Sequence, residues 1–355
     1  MPLAQSKTKN RNGLKLTVTS GGRLRNLRAI DLFCGAGGCS WGARRAGARI
    51  IAGFDKWDLA LRTFKDNFPE ARVFSERIQD LSVRRVAAQV RKIDLILASP
   101  ECTSHSLARG GSRPSEDSRM TAFQIIRFAR RLKPRWIVIE NVSTMRSWRR
   151  YREFVRKLQK LGYKTLEQTI NAADFGVAQS RKRLFILCDR KSTPSRVNPR
   201  TEQWAKASSI VSLNGEHPLT DLWTKRPNTL KRARRAIRAL GRHSTKRRRS
   251  FLLVYYGSDK HVSNKGGGWQ RLDVPLRTVT TLDRFALVKP YRNTYKMRML
   301  QVDELRKAMG FKKTFRLAHG NRRDKIHLLG NAVCPPVIEA ILRSLTTGRK
   351  QEKRQ

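Results

Sequence analysis

The chain has 355 residues, and its 77 Lys and Arg side chains against 27 Asp and Glu side chains give a formal net charge of +50. Such an excess of cations favours a polyanionic partner, with nucleic acid as the first expectation. The sequence shows neither a long apolar run nor a signal-peptide pattern, so it does not predict a membrane-spanning or secreted protein. The five cysteines include no CxxC pair, which argues against disulfides and zinc and predicts a cytoplasmic setting without a metal.

The first half of the chain alternates short apolar strands with amphipathic helical stretches. This alternation predicts parallel βαβ units and therefore an α/β fold. Helices are expected over residues 57–67, 81–91 and 120–133. Strands are expected in RAIDLF (28–33), IIAGFD (50–55), RVFS (72–75), DLILAS (94–99), WIVIEN (136–141) and RLFILC (183–188).

A glycine-rich turn follows the first predicted strand. Gly35, Gly37 and Gly38 let the backbone approach a ligand closely, although glycines also serve a plain strand-to-helix turn. Phe33 at the strand end can lie against an adenine ring, and Asp55 after the second strand can bind the hydroxyls of a ribose. Because the P-loop pattern is absent, these residues predict an adenosine-type cofactor without a triphosphate.

Two later strands end on chemically active side chains. The strand in 94–99 runs into Pro100 and Cys102, and the strand in 136–141 ends on Glu140 and Asn141. Ligands of an open α/β sheet bind beyond the carboxyl ends of the strands, where a thiol and a carboxylate can act together. A free cysteine is also a common core residue. A carboxylate in an all-apolar strand, however, needs a partner or a function.

Two arginines lie where the chain enters the sixth predicted strand. Arg181 and Arg183 are two residues apart, so both side chains are expected on one face of the sheet. Guanidinium groups suit a phosphate or a carbonyl oxygen. A solvated basic edge is the alternative in so basic a chain.

The composition changes after Asp189, and a second, smaller domain is predicted over 190–320. The segment TLKRARRAIRALG (229–241) has the spacing of an amphipathic helix that Asn228 caps and Gly241 ends. Its apolar face consists of Leu230, Ala233, Ile237 and Leu240, and its basic face of Lys231, Arg232, Arg234, Arg235 and Arg238.

Two further segments of this second domain have recognisable patterns. FLLVYYG (251–257) is predicted to be a buried strand. Residues 264–270, which include Trp269, are predicted to be a loop. That loop either enters a DNA groove or is a plain surface loop.

Seven short motifs, in this order, closely resemble those of the cytosine-5 DNA methyltransferases, from about residue 28 to residue 345. They are DLFCGAGG (31–38), Asp55, SPECTSHS (99–106), IENV (139–142), QSRKR (179–183), PLRTVTT (275–281) and GNAVCPPV (330–337). The resemblance implies a Rossmann-like α/β methyltransferase sheet with a second, smaller target-recognition domain. It also implies S-adenosyl-L-methionine as cofactor and double-stranded DNA as partner, with a cognate restriction endonuclease as a further possible partner.

The resemblance divides the chain into five expected segments. They are a basic disordered arm (1–27), a catalytic cofactor-binding domain (28–189), a target-recognition domain (190–320), a C-terminal segment that returns to the catalytic domain (321–347) and a basic tail (348–355). The protein is expected to be a monomer associated with DNA in the cytoplasm, without a membrane or a metal.

The resemblance also implies a role for each motif residue. Cys102 would add to C6 of a flipped-out cytosine, and Glu140 would hydrogen-bond N3 and the exocyclic amine. Arg183 and Arg181 would hold the base oxygen and a nearby phosphate. The residues implied to surround the cofactor are Asp31, Phe33, Gly35, Gly37, Gly38, Asp55, Pro100, Asn331 and Val333. Those implied to contact DNA are Arg277, Thr278, Lys231, Arg232, Arg235 and Trp269.

Three positions depart from the family's pattern. Glu101 stands where the family usually has proline, and its charge opposes formation of the neighbouring thiolate unless an arginine pairs with it. Arg77 replaces an acid that contacts the adenine amine, a role that Asp80 or a backbone carbonyl can take over. TSHS (103–106) replaces a glutamine-containing loop. Two alternatives stay open: an RNA cytosine-5 methyltransferase on the same fold, and a basic DNA-binding protein with a decayed methyltransferase fold.

Overall fold

Two β-sheets organise residues 27–101, 115–241, 249–256 and 268–347, the parts of the chain that the computed structural model describes. The strands of the larger sheet are β1 (Arg28–Leu32), β2 (Arg49–Phe54), β3 (Arg72–Phe74), β4 (Leu95–Ala98), β5 (Trp136–Asn141), β6 (Lys164–Asn171) and β7 (Lys182–Asp189). They lie in the order β3-β2-β1-β4-β5-β7-β6. Strands β1 to β5 are parallel, whereas β7 is antiparallel to β5 and to β6.

The six strands predicted from apolar runs are confirmed close to their expected bounds. Successive side chains of a strand point to opposite faces, and both faces of this sheet are covered. Leu95 and Leu97 of β4 pack into one core cluster, while Ile96 and Ala98 pack into the other. The helices of this half are α1 (Gly38–Ala46), α2 (Asp58–Asn67), α3 (Val83–Val90), α4 (Glu116–Met120), α5 (Gln124–Leu132) and α6 (Tyr151–Lys160).

The strand order reverses direction beside β1. Strands β2 and β3 lie on one side of β1, and β4 and β5 lie on the other. Ligands of such sheets bind outside the carboxyl ends of the strands at the point of reversal. The loops that follow β1 and β4 therefore form the expected site, and these loops carry the glycine-rich turn and Pro100.

The smaller sheet belongs to the second half of the chain. The helix of this region is α7 (Pro227–Gly241), and the strands are β8 (Thr220–Asp221), β9 (Phe251–Val254), β10 (Trp269–Gln270), β11 (Phe285–Tyr291) and β12 (Thr294–Met299). The strand order is β10-β9-β11-β12-β8. Ala233 and Ala236 of α7 are buried in a core cluster with Phe251 and Leu253 of β9. The apolar face of α7 thus covers this sheet.

Several predictions in this region need correction. Helix α7 begins at Pro227, so Asn228 lies inside its first turn and does not cap it; the fixed φ of proline suits this first position. Trp269 and Gln270 belong to strand β10, so the expectation of a loop there is wrong, while residues 257–267 lie outside the described part. A further correction concerns the first half of the chain: Leu27, assigned to the basic arm, is buried, and its carbonyl accepts a hydrogen bond from the Arg49 amide.

The C-terminal helices are α8 (Val302–Ala308), α9 (Arg322–Asn331) and α10 (Pro335–Thr347). Helix α10 packs against α1 so closely that a Cβ on Gly42 would lie 2.4 Å from the carbonyl oxygen of Pro335. The segment Arg322–Thr346 is long and apolar enough to cross a bilayer, but 72% of its most apolar stretch is buried inside the protein. Its apolar surface therefore serves the core of this fold.

Candidate active site

The glycine-rich turn after β1 adopts a backbone that ordinary side chains avoid. Phe33, Gly35 and Gly37 all have positive φ, at 60°, 51° and 94°. For phenylalanine such a value is strained, and strain of this kind collects at functional sites. The Gly37 amide donates to the Cys34 carbonyl at 2.8 Å, which closes the turn. Helix α1 then begins at Gly38.

Gly38 allows the C-terminal segment to reach this turn. A Cβ at Gly38 would lie 2.5 Å from the carbonyl oxygen of Val333, so only glycine permits the contact. Val333 is buried here, whereas Asn331 at the end of α9 is exposed. The structure therefore brings together two motifs that are about 295 residues apart.

Asp31 at the end of β1 is fully buried. Its Oδ2 accepts hydrogen bonds from the Ser40 amide at 3.1 Å and from the Ser40 hydroxyl at 2.7 Å. Its Oδ1 is buried and has no hydrogen-bond partner among the described residues. Burial raises the pKa of Asp31 to about 7, although the bonds from Ser40 oppose the shift. A buried carboxylate oxygen without a hydrogen-bond partner favours a ligand that is cationic or donates a hydrogen bond.

Asp55 connects the loop after β2 to the glycine-rich turn. Its Oδ2 accepts from the Gly35 amide at 2.8 Å, and its Oδ1 accepts from the Trp57 amide at 3.0 Å. Burial raises the pKa of Asp55, while these bonds and the charge of Lys56 lower it. Arg77 and Asp80, the departures in the neighbouring loop, are both exposed.

The loop after β4 is anchored to the end of β5. The Asn141 side-chain amide donates to the Pro100 carbonyl at 3.1 Å, and the Ser99 amide donates to the Leu32 carbonyl at 3.2 Å. Glu101 follows and pairs with Lys56 at 2.5 Å. The cation that pairs with Glu101 is therefore a lysine, whereas an arginine was considered for this place from the sequence. Cys102, the predicted nucleophile, and residues 103–106 lie outside the described residues.

Glu140 lies near the end of β5 and is 7% exposed. Arg183 of β7 pairs with it, with 3.2 Å between Nε and Oε1. Burial raises the pKa of Glu140, and the charges of Arg183 and Arg181 oppose this shift. The carboxyl group therefore keeps a proton to higher pH than an exposed glutamate does. Such a group can donate a hydrogen bond as well as accept one.

The side chain of Arg181 does not lie where the expectation of a substrate contact would place it. Its side chain is buried and donates to the backbone carbonyls of Val279, Gly330 and Ala332, at 2.8, 2.7 and 3.1 Å. The guanidinium thus joins the PLRTVTT segment to the C-terminal turn. Its contribution to the site is to hold these segments in place and to add positive charge near Glu140.

The PLRTVTT segment lies alongside the QSRKR motif. The Thr278 hydroxyl donates to the Ser180 carbonyl at 2.9 Å, and the Arg277 amide donates to the Gln270 side chain at 3.0 Å. Sequence reasoning missed Gln179, whose buried side chain accepts from the Val279 amide at 2.7 Å. The sequence feature that could have identified Gln179 is its place as the first residue of the QSRKR motif.

Of the predicted DNA-contacting residues of the second domain, Lys231 and Arg235 are exposed on α7. Arg232 is half-buried, and its guanidinium lies 5.6 Å from the centre of the Tyr255 ring. Trp269 is also half-buried and packs edge-on against Phe251. Among these four predicted contacts, Lys231 and Arg235 are therefore the two most open to solvent.

No group of His, Cys, Asp or Glu side chains in the described part of the chain has the arrangement of a metal site. The four described cysteines are buried and free. Burial raises the pKa of each thiol, so these cysteines are poor nucleophiles at neutral pH.

The comparisons with known proteins agree with this geometry. Residues 27–347 match the family described as C-5 cytosine-specific DNA methylase, and the chain belongs to that family. The similarity to the type II methyltransferase M.XorII of Xanthomonas oryzae is 31% identity over 207 residues, which cover 55% of this chain and 48% of M.XorII. The chain thus spans about half the length of that relative.

Two broader matches cover most of the chain. The type II methyltransferase M.FnuDI of Fusobacterium nucleatum is 25% identical over 334 residues, which cover 86% of this chain and 90% of M.FnuDI. The crystal structure of S. pombe Dnmt2 methyltransferase superposes with a TM-score of 0.60 at 15% identity, over 92% of this chain and 99% of that one. At this identity the superposition supports the fold, and the α/β methyltransferase prediction is confirmed.

Proposed function

We propose that the protein is a DNA (cytosine-5-)-methyltransferase that modifies a flipped-out cytosine of duplex DNA through a covalent adduct with Cys102. The observation that carries this proposal is the arrangement at the ends of β4 and β5. Burial raises the pKa of Glu140, which precedes Asn141, and the Asn141 side chain fixes Pro100 two residues before Cys102. A thiol and a carboxylic acid on adjacent strands suit nucleophilic addition to a pyrimidine ring.

The residues at the end of β1 fit S-adenosyl-L-methionine, which supplies an electrophilic methyl group when bound. The unpartnered buried Oδ1 of Asp31 suits a cationic group. The positive-φ turn at Phe33 and Gly35 exposes backbone, and Asp55 keeps lone pairs for hydroxyl groups. Gly37, Gly38, Pro100, Asn331 and Val333 complete the proposed cofactor site.

The chain's own residues then carry out the proton and thiol chemistry. Cys102 attacks C6 of the cytosine as the thiolate. The protonated Glu140 donates to N3 and accepts from the exocyclic amine, which draws electron density towards N3 and prepares C5 for the methyl group. Arg183 orients Glu140. Once C5 carries the methyl group, its proton passes to solvent water. The C5–C6 double bond then forms again as the Cys102 thiolate leaves, and the proton on N3 returns to Glu140.

The DNA surface is proposed to combine both halves of the chain. The catalytic domain (28–189), the target-recognition domain (190–320) and the returning segment (321–347) are the proposed units, with the basic arm and tail as further contacts to phosphates. Arg277, Thr278, Lys231, Arg232, Arg235 and Trp269 belong to this surface. The type II methyltransferase names of the relatives support a cognate restriction endonuclease. We propose a cytoplasmic monomer bound to DNA.

A substrate panel tests the proposal. Purified protein is incubated with methyl-labelled S-adenosylmethionine and duplex DNA, single-stranded DNA or transfer RNA. We expect label at C5 of cytosine in duplex DNA, and bisulfite sequencing then identifies the recognised site. Label in RNA alone would favour an RNA methyltransferase, whereas tight DNA binding with no turnover on any substrate would favour a decayed fold.

Basic residues of α7 should contribute to the salt dependence of DNA binding. Replacing Lys231 and Arg235 by glutamine should make the plot of log affinity against log salt less steep by about 1 per residue. The DNA releases fewer counterions on binding when the protein has fewer cations to neutralise its phosphates. Affinities measured between about 50 and 200 mM salt give the slope. The matched control is Arg152→Gln with Arg156→Gln, exposed on α6. Equal slopes for the two double variants would contradict a DNA-binding role for α7.

A further inference from the structure

An ion pair joins the loop after β2 to the residue that precedes the proposed nucleophile. Lys56 Nζ lies 2.5 Å from Glu101 Oε1. Glu101 is followed directly by Cys102, so the Cα atoms of the two residues are about 3.8 Å apart. The pair therefore places a cation where an isolated carboxylate would oppose a thiolate.

Lys56 also acts on the cofactor side of the site. Its charge is one of the influences that lower the pKa of its neighbour Asp55, against the larger effect of burial. Asp55 in turn accepts a hydrogen bond from Gly35. A continuous set of contacts thus runs from the glycine-rich turn through Asp55 and Lys56 to Glu101.

The exposure of the pair argues against a purely structural purpose. The Lys56 and Glu101 side chains are 58% and 32% exposed. Ion pairs exposed to this degree contribute little to folding stability. Removing either charge should therefore leave the protein folded, and the effect of the pair should appear in the chemistry of its neighbours.

The other charged groups around this edge of the sheet do not replace Lys56. His327 of α9 packs on Trp57 with 4.8 Å between ring centres. Burial holds the pKa of the His327 imidazole below its usual value, so the ring carries no charge at neutral pH and above. Arg183 is engaged with Glu140. Other described ionisable groups near the ends of β1, β2 and β5 include the acids Asp31, Asp55 and Glu140. None of these three groups is a cation that could offset Glu101.

We propose that Lys56 is a positioning residue that holds and neutralises the Glu101 carboxylate, which favours the reactive thiolate of the next residue, Cys102. This inference rests on the proposed function, because it gives Cys102 the role of nucleophile. It explains how the chain tolerates an acid at position 101: the lysine that offsets the acid comes from the loop after β2, which lies two strands from β4 in the sheet. The two charges should act on Cys102 in opposite directions.

Alkylation of Cys102 tests the inference without DNA or cofactor. The full-length protein is treated with iodoacetamide across a pH series, and mass spectrometry follows the Cys102 peptide. Lys56→Met should move the pH midpoint of alkylation upward by about half a unit or more, and Glu101→Gln should move it downward. The double variant should return close to the wild-type midpoint. Arg62→Met, which breaks the exposed pair with Asp58, is the matched control and should not move it.

The outcomes separate this inference from the proposed function. Opposite shifts in the two single variants support the pair even if no variant transfers methyl groups, in which case the proposed function alone fails. The inference would be overturned if the pH midpoint of alkylation did not move, or if it moved in the same direction in both single variants. This holds even if both variants lose methyl-transfer activity equally. If Lys56→Met does not fold, as judged by circular dichroism, the downward shift in Glu101→Gln decides.

Discussion

Methyl transfer to duplex DNA should be lost when Cys102 is replaced by alanine, with a decrease in kcat of about 10³-fold or more. Without the thiol no covalent adduct forms at C6, and C5 of cytosine is a poor nucleophile by itself. The measurement is single-turnover transfer of labelled methyl groups to a duplex that carries the recognised site. DNA binding by the variant should be retained, because the cations that contact phosphate are unchanged.

A buried cysteine provides the control for this experiment. Cys188 lies in β7 and is fully buried, so Cys188→Ala should cost about 1 kcal/mol of stability and leave the rate intact. A Cys102→Ala protein that is folded and still methylates DNA at the wild-type rate would rule out the covalent route. Loss of activity in both variants would point to a general effect of cysteine removal.

Replacing Glu140 by glutamine should slow methyl transfer by about 10²–10⁴-fold while DNA binding persists. Glutamine can still donate to N3 and accept from the exocyclic amine, but it cannot give up a proton. Burial raises the pKa of Glu140, so the protonated form persists to higher pH and is lost as the pH rises through that raised value. The wild-type rate of methyl transfer should therefore fall as the pH rises through the pKa of Glu140, and the glutamine variant should show no such fall.

Glu167→Gln is the matched control for this substitution. Glu167 is a carboxylate of β6, which β7 separates from β5, and it pairs with Arg146 at 3.2 Å and is 32% exposed. Its loss should leave both the rate and the pH profile unchanged. A Glu140→Gln protein with a wild-type rate, or with the alkaline fall intact, would remove Glu140 from the proton chemistry.

The buried strands could be predicted from sequence because their side chains are apolar on both faces. LILA of β4 and WIVIEN of β5 are fully buried, and a parallel sheet with two covered faces produces such continuous runs. Strand β6 (KTLEQTIN) was missed. Its residues are mainly half-exposed and polar, as expected for an edge strand, so the apolar signal was absent.

The parts of the site that escaped prediction depend on contacts between distant residues. The partner of Glu101 is 45 residues away, and no local pattern identifies a lysine in another loop as that partner. The motif resemblance, together with the spacing, implied that Arg181 contacts the substrate. Its burial depends on carbonyl groups 98 to 151 residues further along the chain. The motif residues near strand ends were predictable because the geometry of a parallel sheet fixes where those ends meet.

Trapping on modified DNA tests the central claim most directly. An oligonucleotide duplex that contains 5-fluoro-2′-deoxycytidine at the methylated position is incubated with the protein and S-adenosylmethionine, and the product is digested and analysed by mass spectrometry. Because fluorine cannot leave as the proton does, we expect a stable conjugate on the Cys102 peptide, and none with Cys102→Ala. A folded, DNA-bound protein that forms no conjugate at Cys102 on duplexes of several sequences would contradict the covalent mechanism proposed for this site.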